Sequence, residues 1–260
     1  NEINLYSTEM SSALCSIDRV SASANMNNRL SEAIVEAYKS TNGAPISFEL
    51  MLKCYQSRMK DANNDDSISS VLKQLVNAHI FESEDKVSLI DDSYIIKMDG
   101  YPKDGPIAKA IVYFLMSKLN NIYELLDKQA VNDEVVQIRH FSIIDEAHYM
   151  LDFDNRPLRN LIAVGRNKGL SIILATQNMS SFKSKGFDFY ANAQYPLIMK
   201  QQTIDDKVIK DLFGVSGQEL QEIRTAIAGL QKGELIIKDQ MAFALGMGNK
   251  YKKINVTHLI

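Results

Sequence analysis

Two short apolar runs, each closed by a polar pair, constrain this chain more than any other feature. Phe141-Ser142-Ile143-Ile144 ends at Asp145-Glu146, and Ser171-Ile172-Ile173-Leu174-Ala175 ends at Thr176-Gln177. Between them, Asn155-Arg156-Pro157 opens a segment carrying Leu158, Leu161 and Ile162 at helical spacing. The proline falls in the first turn, where its missing N–H is harmless. Strand, helix and strand in that order predict a parallel α/β arrangement. The runs are nearly continuous rather than alternating, which predicts burial on both faces.

The pattern extends in both directions. Tyr94–Met98 reads as a strand closed by Asp99-Gly100-Tyr101-Pro102, followed by a long helix over about 106–128. The predicted core stripe of that helix is Ile107, Ile111, Leu115, Leu119, Ile122 and Leu126. Later strands are predicted at Pro196–Lys200, Glu234–Ile237 and Ala242–Leu245. Residues 1–88 read differently. Leu30, Ile34, Val35 and Tyr38, then Phe48, Met51, Leu52 and Tyr55, recur at helical spacing on either side of Gly43-Ala44-Pro45. Asp65-Asp66-Ser67 offers caps for a third helix carrying Ile68, Val71, Leu72, Leu75 and Val76. Residues 79–90 read as a short hairpin. The expected architecture is therefore a helical, winged-helix-like subdomain over 1–90 and an α/β domain over 91–260.

Composition narrows the function classes. The 260 residues carry 29 Lys+Arg against 32 Asp+Glu, a formal net charge of −3, with 45% hydrophobic residues. These are globular values, which exclude a disordered chain, a collagen and a disulfide scaffold. They also exclude a polybasic binder whose affinity comes from bulk positive charge. Residues 1–88 hold 8 basic and 12 acidic residues, so the winged-helix-like part is read as a packing module rather than an independent phosphate binder. No run of about 20 apolar residues predicts a membrane span. No secretion signal opens the chain, and Cys15 and Cys54 lack metal-ligand spacing, so a cytoplasmic protein with reduced thiols is expected.

In parallel α/β sheets, ligands bind beyond the carboxyl ends of the strands. Adjacent carboxylates at the end of a buried strand cost desolvation energy that a divalent cation offsets. In nucleotide hydrolysis the first acid holds Mg²⁺, usually through water, and the second orients or deprotonates the attacking water. Phe-Ser-Ile-Ile-Asp-Glu-Ala-His reads as such a Walker B string, against the alternative of a solvated acidic loop. Gln177 both donates and accepts hydrogen bonds, which suits a γ-phosphate sensor or a simple loop cap. Arg166, inside Gly165-Arg166-Asn167-Lys168-Gly169, is a candidate arginine finger, with Arg156 and Arg159 as rivals and a surface ion pair as the alternative. His148 either couples nucleotide state to a nucleic-acid surface or merely starts a helix; the residues do not separate these. His79, His140 and His258 form no spaced metal motif.

On these residues a family resemblance rests. Residues 93–260 resemble the C-terminal half of the RecA-type motor domain of the HerA/FtsK superfamily, which includes conjugation and secretion ATPases. The strings that carry it are Ile-Ile-Asp-Glu-Ala-His, Gly-Arg-Asn-Lys-Gly and Ile-Ile-Leu-Ala-Thr-Gln-Asn. Leu230-Gln231-Lys232-Gly233-Glu234-Leu235 is similar to the family's closing hairpin. Residues 1–88 resemble a helical insertion carried by some members. Within the group, the insertion and the Asp-Glu-Ala-His form are most similar to the DptH-type ATPase of phosphorothioation-dependent DNA restriction. The resemblance implies a RecA-like parallel sheet with flanking helices and an ATP-driven, hexameric translocase of double-stranded DNA, with a nuclease or other restriction-system protein as partner. It assigns Asp145 to Mg²⁺, Glu146 to the catalytic base, Gln177 to phosphate sensing with Thr176 beside it in the ATP site, and Arg166 to a finger acting on a neighbouring subunit.

One element of the family is absent. No Gly-x-x-x-x-Gly-Lys-Ser/Thr occurs in the 260 residues, and Gly246-Met247-Gly248-Asn249-Lys250 has the wrong spacing. Weak or no ATP binding by this chain alone is therefore expected. Truncation of a longer protein is the favoured explanation, in keeping with a start at Asn1, and natural degeneration is the alternative. Two other readings stay open. Asp-Glu-Ala-His also marks superfamily 2 helicases, although the stretch after Gln177 is too short for their second RecA-like domain. A non-catalytic partner-binding module is the other.

Overall fold

The computed structural model describes residues 2–17, 22–42, 44–61, 65–81, 88–132, 135–184, 187–239, 241, 244 and 250–256. Its contacts divide the chain into two compact units, residues 1–142 with 149–173 and residues 143–148 with 174–260.

The first unit begins with four helices, α1 (Glu2–Ile17), α2 (Ala24–Ser40), α3 (Phe48–Gln56) and α4 (Ser67–Asn77), each packed on the next. Their starts are written in the sequence. Ser23 and Ser47 accept from the amides of Met26 and Leu50. Asp66 and Ser69 form a reciprocal capping box at the start of α4. Asp66 also accepts from the Tyr55 hydroxyl at 2.6 Å and from Arg29 at 3.2 Å, so one carboxylate joins three helices. Met10, Leu14, Ile17, Leu30, Ile34, Met51, Leu72 and Leu75 fill the space between them. Residues 82–87 of the predicted hairpin lie outside the described residues; 78–81 and 89–91 are turns.

The long helix α5 (Pro106–Leu125) packs on α1, α4 and, later in the chain, α7. Its buried face differs from the predicted stripe. Of that stripe only Leu119 is buried; the buried positions are Ala108, Lys109, Ala110, Val112, Tyr113, Ser117, Leu119, Asn120 and Tyr123. The helix is apolar around most of its circumference, so apolar spacing does not single out the packed side. Small residues that allow close approach, and polar residues with partners, decide it. The strand predicted at Tyr94–Met98 is also corrected: the segment is irregular and Ile95 is 88% exposed. An apolar run becomes a strand only where a neighbouring strand satisfies its backbone.

After a two-residue antiparallel ladder, β1 (Val131–Asn132) with β2 (Val135–Val136), the chain forms β3 (His140–Ile144), α6 (His148–Leu151), α7 (Arg156–Val164), a tight 3₁₀ turn (Gly165–Lys168) and β4 (Leu170–Leu174). β3 and β4 are neighbours and run parallel. At one end Arg139 N and His140 N donate to Gly169 O, and at the other Ala175 N donates to Ile144 O at 2.9 Å. The expectation that these strands are covered on both faces is corrected. Phe141 is 58% and Ile143 69% exposed, because alternate residues of β3 point to a face that nothing described here packs on.

The second unit continues through a 3₁₀ turn (Met179–Phe182), β5 (Lys183–Ser184) paired with β6 (Phe187–Asp188), α8 (Phe189–Asn192), β7 (Leu197–Met199), α9 (Asp206–Phe213), α10 (Gly217–Ala228), β8 (Glu234–Lys238) and β9 (Tyr251–Asn255). β7, β8 and β9 form a three-stranded antiparallel sheet, with Ile198 opposite Ile236 and Leu235 opposite Ile254. Ile198 and Ile236 pack on Val208, Ile209, Leu212 and Phe213 of α9 and Ile223 and Ile227 of α10. The later strands therefore differ from the parallel prediction: the two helices between β7 and β8 look like a crossover in sequence, but the register runs the other way. β9 was not predicted, and the strand predicted at Ala242–Leu245 lies, except for Ala244, outside the described residues. Among the described residues, no helix is long and apolar enough to cross a membrane.

The result is a mixed α/β fold, with an N-terminal helical region and small parallel and antiparallel sheets.

Candidate functional site

The parallel pairing of β3 and β4 places their carboxyl ends side by side. It continues past the strands, with Ala147 N donating to Ala175 O at 2.7 Å. Residues 145–148 and 175–177 are thereby laid against each other, all within the second unit. Ala147 is fully buried and pins the turn, while Asp145 on its outer side is exposed.

Glu146 occupies an unusual backbone position. Its φ is +49°, in the left-handed region that a residue with a Cβ rarely adopts. The Asp145 carboxylate supports the turn by accepting from Glu146 N at 2.9 Å. The Glu146 side chain is then received by the β4 end. Gln177 Nε2 donates to Glu146 Oε1 at 2.6 Å. The other oxygen, Oε2, is buried and has no hydrogen bond, with His148 Nδ1 3.4 Å away. Thr176 Oγ1 lies 3.4 Å from the same His148 nitrogen. Four of the residues singled out from the sequence, Glu146, His148, Thr176 and Gln177, thus form one cluster, with Asp145 at its edge. A carboxylate with one oxygen clamped and the other carrying no hydrogen bond can accept a proton from a small ligand or a water.

Arg166 belongs to the first unit, exposed in the 3₁₀ turn. The glycines and lysine around it have structural work. Lys168 Nζ donates to the carbonyls of Tyr123 (2.6 Å) and Glu124 (2.8 Å) at the C-terminal end of α5, where a cation is favoured. Gly169 has φ +84°, and a Cβ there would sit 2.8 Å from Gln137 O. Of the rival arginines, Arg156 pairs with Glu9 at 2.9 Å and Arg159 pairs with Asp154. Both are tied down within the first unit.

Sequence reading missed a second polar cluster in that unit. Lys109 is 1% exposed, donates to Asp152 at 3.0 Å and to Ile17 O at 3.5 Å, and lies 6.0 Å from the Phe153 ring centre. Asp154 accepts from Ser12 Oγ at 3.1 Å, and its amide donates to Ser16 Oγ at 2.9 Å. The segment after the Asp-Glu-Ala-His string is thus fastened to α1. A lysine inside an apolar helical stretch was the only signal for it. Elsewhere, burial pushes the His140 imidazole below its ordinary range.

Among the described residues, no group of three or more His, Cys, Asp or Glu is placed to hold a metal ion by itself. Asp145 offers an exposed carboxylate at the edge of the cluster.

No protein-family model matches the chain. No curated protein matches it in sequence. Among solved structures, that of VirB4 of Thermoanaerobacter pseudethanolicus aligns over 98% of this chain and 69% of that chain, with a TM-score of 0.63 and 17% identity. The likeness is one of fold and spans nearly the whole chain, helical region included. The chain has a VirB4-like fold.

Proposed function

We propose that this chain is the Walker B and sensor part of a HerA/FtsK-like, ATP-driven DNA translocase that works in DNA restriction or processing. In this reading β3 and β4 belong to a RecA-like core, and the N-terminal helices are a winged-helix-like insertion. The observation that carries the reading is the 2.6 Å hydrogen bond from Gln177 to Glu146 across the carboxyl ends of two adjacent parallel strands. A nucleotide-hydrolysing site needs a base and a phosphate sensor within reach of one ligand, and ligands of such sheets bind at that end. The VirB4-like fold supports the family-level part of the reading.

The residues suit their roles. Glu146 Oε2 is the base oxygen, buried and without a hydrogen bond. Gln177 and Thr176 face the γ-phosphate, and Arg166 is presented to a neighbouring subunit of a hexameric ring that encircles double-stranded DNA. Asp145 has one oxygen engaged by Glu146 N. Its other oxygen suits Mg²⁺, which keeps several waters and takes one or two carboxylates together with the phosphates. When bound, Mg²⁺ neutralises charge on the β- and γ-phosphates.

No phosphate loop is encoded in these 260 residues, so this chain alone is expected to bind Mg·ATP weakly or not at all. Calorimetric titration of Mg·ATP into the chain, and into a longer protein that carries a phosphate loop, tests this. Tight binding and hydrolysis only in the longer protein, with hydrolysis lost in Glu146→Gln, are the expected results. Brisk hydrolysis by the 260-residue chain would contradict the need for an added loop. No binding by the longer protein would overturn the ATPase reading. DNA binding in the same samples should weaken steeply with salt.

A further inference from the structure

We draw no further inference here: the strongest candidate, the apolar face of the β7–β8–β9 sheet turned away from α9 and α10, where Leu197, Met199 and Ile254 are exposed, carries nothing because nothing in the structure shows what covers it.

Discussion

The amide of Gln177 donates to the carboxylate of Glu146 at 2.6 Å, joining two strand ends that lie 31 residues apart in the chain. Neither end is held by that bond alone, since Ala147 N also reaches Ala175 O. The bond therefore sets the direction of the Glu146 side chain more than it sets the fold. Replacing its donor should cost little stability, and replacing the donor with a second acid should cost more.

Gln177→Met removes the donor, and because the Glu146 side chain is 25% exposed, water replaces it at a cost of about 1 kcal/mol or less. Gln177→Glu sets two carboxylates against each other. One of them must then take up a proton well above the usual carboxylate range. At pH 8 the Gln177→Glu chain should be less stable than Gln177→Met by about 1–2 kcal/mol, and below about pH 5 the gap should close. Urea midpoints at the two pH values measure this. Identical curves for the two variants would mean that the contact is not made in solution.

The left-handed backbone at Glu146 makes its own prediction. A residue with a Cβ pays about 1–2 kcal/mol to adopt φ +49°, and glycine does not, although glycine is freer when unfolded. Glu146→Ala and Glu146→Gly lose the same side-chain contacts. The glycine variant should nevertheless be the more stable by about 0.5–1 kcal/mol in denaturant titrations. An alanine variant equal to or above the glycine variant would show that the strained turn is absent. Both should abolish hydrolysis in a phosphate-loop-bearing protein, which would place stored strain at the site of chemistry.

What was legible in the sequence follows from which signals are local. Ser47 and Asp66 cap their helices through bonds to residues three positions away, so the helix starts are written in short strings. The Asp145-Glu146 and Thr176-Gln177 pairs were legible because the end of a buried strand is both a backbone landmark and the place where ligands meet a parallel sheet. The packed face of α5 was not, because Tyr113, Tyr123 and Lys109 are buried by long-range partners that spacing does not reveal. Gly165-Arg166-Asn167-Lys168-Gly169 shows the opposite error. It was read for its arginine, whereas Lys168 caps α5 and Gly169 admits the Gln137 carbonyl, both roles set by segments 30 to 45 residues upstream. The antiparallel register of β7 and β8 was hidden for the same reason: helices between two strands fit either direction until the pairing is seen.

Lys109 and Asp152 separate charge from packing. Lys109 is 1% exposed, whereas Asp152 keeps 35% exposure, so the two ends of the pair are unequal. Asp152→Ala leaves a buried ammonium whose remaining hydrogen bond among the described residues is to the Ile17 carbonyl, which should cost about 3 kcal/mol. Lys109→Met fills the same space with an apolar chain and leaves a carboxylate that water can reach, so it should cost clearly less, about 1 kcal/mol or below. Urea unfolding of both variants measures the order. A Lys109→Met chain less stable than Asp152→Ala would show that the lysine's contacts, not its charge, hold the segment after Asp-Glu-Ala-His to α1.

His140 gives the fold a pH dependence of known sign. Burial on β3, with the Tyr123 ring 6.4 Å away, pushes its pKa below the ordinary value of 6.5. The folded chain therefore prefers the neutral imidazole, while the unfolded chain takes up a proton near the ordinary value. The stability due to that difference is fully present above about pH 6.5 and is lost as the pH falls from there through the folded-state pKa. His140→Gln cannot titrate, so its thermal midpoint should fall less steeply than the native one as the pH is lowered through this window. Carboxylates and the other histidines act on both chains alike, so the difference between the two curves isolates position 140. Parallel curves between pH 7 and about pH 5 would show that the imidazole is as well solvated in the folded chain as in the unfolded one.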